Sequence, residues 1–70
     1  MNCIKSERVR IGLTQDGLAK ELGVDEATIR RWEKEKTPVP SGKATQMAKL
    51  FQCSVDYLFG VTNERIPTGN

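Results

Sequence analysis

The chain contains no histidine. That removes the commonest general base and the commonest metal-ligating nitrogen, and with them most routes to acid–base catalysis and to catalytic zinc. Cysteine is scarce: Cys3 and Cys53 stand 50 residues apart without a CxxC spacing, so neither a zinc site nor a thioredoxin-like redox pair is expected. Cys53 is expected to serve as a small core residue and Cys3 as an incidental thiol near a frayed terminus. A disulfide sensor would need the two sulfurs within bonding distance. There is no glycine-rich phosphate loop and no serine or cysteine nucleophile beside a base, so an enzyme is not expected and no cofactor is implied. No apolar run approaches the 18 or so residues of a membrane span, and the amino terminus has no secretory apolar region. The expected location is therefore the cytoplasm. Aromatics are few, and Trp32, Phe51, Tyr57 and Phe59 sit where inward helical stripes need them rather than as a platform for stacking bases.

What remains is one small helical domain with a modest core, 70 residues long. Eleven Lys and Arg against nine Asp and Glu give a net charge of only +2, too little to argue for a polyanionic partner by itself. Placement says more. Lys5, Arg8 and Arg10 lie near the start, and Arg30, Arg31, Lys34 and Lys36 cluster in one short stretch interrupted by Glu33 and Glu35.

The periodicity predicts five short helices and an all-α bundle. The first runs from about Asn2 to Arg10, with Ile4, Ile11 and Val9 as inward candidates and Gly12 as its stop. Thr14 has an N-cap side chain for the second, whose stripe is Leu18, Ala19 and Leu22; Gly17 in its first turn costs helix propensity. Gly23 follows the last periodic residue, where a left-handed backbone costs glycine little. Asp25 is the expected side-chain cap of a third helix over Glu26 to Lys34, with Ile29 and Trp32 facing inward. Ala19 is small enough for the two helices to approach closely. Thr37-Pro38-Val39-Pro40 is an extended break. Ser41 is the expected cap of a fourth helix through Phe51, its stripe Ala44, Met47, Ala48 and Phe51 with Leu50 flanking. Ser54 caps a fifth, carried by Val55, Leu58 and Phe59 and ending at Gly60. The domain is thus expected to cover residues 1–60, with 61–70, poor in apolar residues, as a tail or linker.

Two short amphipathic helices joined by a glycine turn and ending in adjacent arginines have the layout of a helix-turn-helix DNA reader. Any small bundle has such corners, so spacing alone does not decide the matter. The wider pattern is more specific. Leu13-Thr14-Gln15-x-x-Leu18-Ala19-x-x-Leu22-Gly23-Val24-x-x-x-Thr28-Ile29-x-x-Trp32-Glu33, then Pro40 and Ser54-Val55-Asp56-Tyr57-Leu58-Phe59-Gly60, resembles the Cro/cI-type helix-turn-helix family of phage repressors and bacterial regulators. The likeness runs from about Val9 to Gly60, and Leu50 to Leu58 resembles the last-helix region of lambdoid phage repressors.

That resemblance implies a sequence-specific regulator that binds a palindromic operator of double-stranded DNA as a homodimer, through a surface around Tyr57 to Ile66. It implies that Gln15 donates to a phosphate oxygen, at a helix start whose free N–H groups already favour an anion. It places base contacts at Glu26, Ala27 and Arg31, with Thr28 and Arg30 nearby. Arg31 suits guanine O6 and N7, Ala27 a thymine methyl, and Glu26 a cytosine N4 donor. Lys34 and Lys36, with Lys43, are candidates for phosphates. Arg8 and Glu33 occupy positions where relatives commonly carry a semi-buried ion pair. Two residues depart from the family pattern: Gly17 replaces a stronger helix former, and Glu35 replaces a glycine, so the loop is expected to differ and its carboxylate to weaken phosphate contacts. The competing expectation on the same fold is a protein-interaction module, such as an antitoxin or an anti-repressor partner.

Overall fold

The computed structural model describes residues 1–65 and contains five helices: α1 (Ile4–Arg10), α2 (Gln15–Leu22), α3 (Glu26–Glu33), α4 (Ser41–Phe51) and α5 (Val55–Leu58). Among the described residues there is no strand. Leu18, Ala19 and Leu22 of α2 pack chiefly against Ile29 and Trp32 of α3, and Ala44, Met47, Ala48 and Phe51 of α4 close the core with Ile4, Cys53 and Leu58. Every residue of the three predicted stripes of α2, α3 and α4 is buried.

Local chemistry sets most of the corners. The Gly17 N–H donates to Thr14 Oγ1 at 2.9 Å and starts α2. A Cβ at Gly17 would stand 3.2 Å from that same hydroxyl, so the glycine and the close cap go together. Gly23 ends α2 with φ +69°, and the following Val24 N–H returns to the Ala19 carbonyl at 3.0 Å. Ser54 caps α5 by accepting from the Tyr57 N–H at 3.0 Å.

Several expected details are corrected. Helix α1 starts at Ile4 rather than Asn2, because Asn2 Oδ1 accepts from the Ile4 N–H and its amide nitrogen donates to the Trp32 carbonyl at 2.8 Å. Val9 is 59% exposed: it lies five residues from the buried Ile4, about 140° round the helix, whereas positions three and four residues on face inward. Those two positions hold Glu7 and Arg8, so the inner stripe of α1 is charged. Asp25 precedes α3 but its carboxylate accepts no capping hydrogen bond; its backbone carbonyl accepts from Thr28 and Ile29 instead. Helix α3 ends at Glu33, one residue short of the prediction. Pro40, not Ser41, occupies the cap position of α4, and Ser41 is already helical, its carbonyl accepting from Thr45 Oγ1. Cys3 is not at a frayed end, since its N–H donates to the Leu58 carbonyl at 2.7 Å.

Residues 61–65 follow the expected boundary at residue 60 and are tied back to the bundle through Arg65. Arg65 grips the Glu7 carboxylate through Nε and Nη2 at 2.9–3.2 Å, Arg10 Nε adds a third donor at 3.0 Å, and both arginines donate to the Phe51 carbonyl at the end of α4. Glu7 is only 3% exposed. Hydrogen bonds from Arg65 lead in holding its carboxyl below the ordinary value of 4.5, with Arg10 adding to them against the opposing effect of burial. A depressed native pKa contributes stability that is fully present above pH 4.5 and is lost as the pH falls through the native value. Wild type is therefore expected to lose stability below about pH 4.5 more steeply than Glu7→Gln, measured by urea unfolding at a series of pH values. Parallel slopes for the two proteins would remove Glu7 from the acid response.

Candidate nucleic-acid interface

Burying Ile29 and Trp32 turns the opposite side of α3 to solvent. Glu26, Arg30 and Arg31 are exposed there, and Ala27 and Thr28 are half-buried. Past the end of α3 the chain folds back, with the Lys36 N–H donating to the Arg31 carbonyl at 2.9 Å and the Glu35 N–H to the Trp32 carbonyl at 3.1 Å. This brings Lys34 and Lys36 beside the helix. The result is an open groove of about 240 Å³ lined by Ala27, Arg30, Arg31, Lys34 and Lys36: four cations, one methyl and no carboxylate.

The expected role of Glu35 is corrected by this turn. Its backbone takes φ +58°, the left-handed region a glycine would occupy freely, so a glutamate at this position costs strain. Its carboxylate lies 3.4 Å from the Met1 ammonium and does not line the groove.

The cations are not equivalent. Arg30 Nη1 lies 3.1 Å from Glu26 Oε1, an i,i+4 pair with both side chains about half exposed. Arg31 has no ion pair among the described residues. Lys43 is engaged elsewhere, its Nζ donating to the Leu22 carbonyl at 2.6 Å and closing the end of α2.

Behind the groove, Glu33 ties three elements together. It accepts from Arg8 Nε at 2.7 Å and Nη2 at 3.4 Å, and from Gln15 Nε2 at 3.1 Å, while Arg8 Nη1 donates to the Leu13 carbonyl at 2.8 Å. The Arg8 and Glu33 side chains are 10% and 6% exposed, so neither is presented to a ligand. Gln15 opens α2 as expected, but one of its amide hydrogens is engaged by Glu33, which fixes the carboxamide at the helix start and leaves its second N–H for another acceptor.

Sequence reasoning missed the cluster of Glu7, Arg10 and Arg65. The available signal was the spacing of Glu7 three residues after Ile4 on the buried side of α1. Neither Cys3 nor Cys53 is in a disulfide, and burial pushes the Cys53 thiol up, away from the reactive thiolate. Among the described residues no group of three His, Cys, Asp or Glu is placed to hold a metal, and no helix is long and apolar enough to cross a membrane.

A family profile described as Helix-turn-helix matches residues 4–58. Among curated proteins, an uncharacterized HTH-type transcriptional regulator, YobD of Bacillus subtilis (strain 168), is 33% identical over 55 residues, which cover 79% of this chain and 49% of that protein. Repressor protein C2 of Salmonella phage P22 is also 33% identical over 55 residues, covering 79% of this chain and 26% of the repressor. The chain thus matches about half of one relative and about a quarter of the other.

Proposed function

Because the chain belongs to the Cro/cI-type helix-turn-helix family, we propose that it is a sequence-specific, double-stranded DNA-binding transcriptional regulator, a phage or prophage repressor or Cro-like protein, with residues 1–60 as its DNA-binding domain. One observation carries the proposal: the groove beside the outer face of α3 is lined by four cations and one methyl, with no carboxylate in the lining itself. The eight residues of α3 span about 12 Å, the width of a DNA major groove.

In this reading Arg31 grips a guanine edge bidentately and Ala27 meets a thymine methyl. Thr28 lies at the base of the same face. Gln15, Lys34 and Lys36 contact phosphates and fix the register, Gln15 adding its remaining N–H to the free donors that open α2. Arg8 and Glu33 stay within the fold and hold α1, α2 and α3 in one arrangement.

One helix reads only a few base pairs, so useful affinity calls for a homodimer on a palindromic operator with half-sites about 34–36 Å apart. The proposed dimer surface lies around Tyr57 to Ile66. Val55 and Val61 supply exposed apolar area there, at 39% and 75% exposure, while Ile66 lies outside the described residues.

The test is selection of bound duplexes from a random pool, followed by affinity measured against salt. An enriched inverted repeat is expected, with log affinity falling by about 0.9 per phosphate neutralised for each tenfold rise in salt. Failure to enrich any sequence, or binding indifferent to salt, would sink the assignment.

A further inference from the structure

Glu26 stands where the family resemblance puts a base contact, yet its carboxylate is engaged by Arg30 at 3.1 Å across one helical turn. The geometry points to a different role for it, in which Glu26 neutralises Arg30 and takes it out of the charge that faces DNA, so that the groove acts through Arg31, Lys34 and Lys36. This inference rests on the DNA-binding function proposed above.

Three features carry it. The order is favourable, with the acid four residues before the base, so the pair also follows the direction of the helix dipole. Glu33, the other acid of α3, is fully committed to Arg8 and Gln15 and cannot serve a groove cation. Arg30 is thus the one cation lining the groove that has an acid partner among the described residues. Glu26 sits against Nη1 of Arg30 and leaves other N–H donors of the guanidinium open, but a phosphate that approaches them also meets the neighbouring carboxylate, whose repulsion offsets the attraction of the cation. The intact pair therefore adds little to phosphate binding. Glu26 thereby restrains sequence-independent affinity, the component that every competing genomic site shares.

The experiment compares wild type, Glu26→Gln, Arg30→Gln and the double variant on two probes: the duplex recovered by selection and an unrelated duplex of equal length. Both side chains are about half exposed, and unfolding midpoints serve as the control for an intact fold. Glu26→Gln is expected to raise affinity for both probes by the same several-fold factor. One additional phosphate contact steepens the salt slope by about 0.9, so the gain should shrink about threefold between 50 and 200 mM salt. Arg30→Gln should weaken both probes alike, because Glu26 is then bare, and the double variant should return to the wild-type affinity and slope. A loss confined to the selected duplex in Glu26→Gln would assign Glu26 to base reading and overturn the inference. Unchanged binding in that variant, or a double variant no different from Arg30→Gln, overturns it as well. If wild type binds neither probe, the proposed function itself falls and this inference with it.

Discussion

Replacing Glu33 with alanine is expected to lower the unfolding free energy by about 3–5 kcal/mol, the usual cost of removing one partner from a buried ion pair. The substitution strands the Arg8 guanidinium, whose side chain is 10% exposed and which keeps only the Leu13 carbonyl as an acceptor. It also frees Gln15 from its fixed place at the start of α2. Most of the cost is desolvation left uncompensated rather than lost Coulomb attraction. An apolar pair of similar volume, Arg8→Met with Glu33→Leu, should therefore recover most of the loss even though it restores no charge. Urea unfolding of the three proteins measures this. A loss below about 1 kcal/mol for Glu33→Ala would mean that the pair behaves like a solvent-exposed bridge, and would remove it as the tie between α1, α2 and α3.

The same pair shows where sequence reading reaches and where it stops. The stripes Leu18, Ala19 and Leu22, then Ile29 and Trp32, then Ala44, Met47, Ala48 and Phe51, repeat at helical spacing, and every member is buried. Gly23 was legible because a left-handed corner has few other solutions. Apolar periodicity carries no information about a buried charge, and on α1 it points to Val9 when the inward positions belong to Glu7 and Arg8. Apart from the local Arg10, the partners of those residues lie 25 and 58 positions away, at Glu33 and Arg65, where no local rule reaches. Family resemblance supplied Glu33; nothing supplied Arg65. At the helix starts, Thr14 and Ser54 cap through their side chains, whereas Asp25 does not and Ser41 is already inside its helix. A capping residue type fixes the neighbourhood of a helix start, but which group satisfies the free N–H donors depends on the approach of the chain before it.

At the candidate site, the family resemblance supplied Glu26, Ala27 and Arg31, with Thr28 and Arg30 nearby, and the burial of Ile29 and Trp32 leaves Glu26, Arg30 and Arg31 exposed. Neither fixed the division of labour within that set. The i,i+4 spacing of Glu26 and Arg30 was available in the sequence, but i,i+4 acid–base pairs are common and only the observed contact gives this one weight. Glu35 departs from its expected role for a related reason. Its charge is visible in the sequence, but its direction is set by a left-handed backbone that carries the carboxylate away from the groove.

Arg31 is where the proposed reading of bases is most exposed to disproof. Arg31→Ala is expected to weaken the selected duplex by about 1–3 kcal/mol, roughly five- to 150-fold, while unrelated duplexes lose much less. The asymmetry follows from the kind of contact. A bidentate fork on guanine is lost only where the guanine is present, whereas a cation near a phosphate is lost on every sequence. Arg31→Lys sharpens the test because it preserves the charge and removes the planar fork. If Arg31 reads a base, the lysine variant should retain most non-specific affinity and its salt slope, lose most discrimination, and select a pool relaxed at one position of each half-site. If Arg31 meets a phosphate, lysine should rescue binding on every duplex, and alanine should lower all affinities together and flatten the salt slope by about 0.9. The side chain is free to do either: it is exposed, it lines the groove one turn beyond Ala27, and no carboxylate among the described residues holds it back.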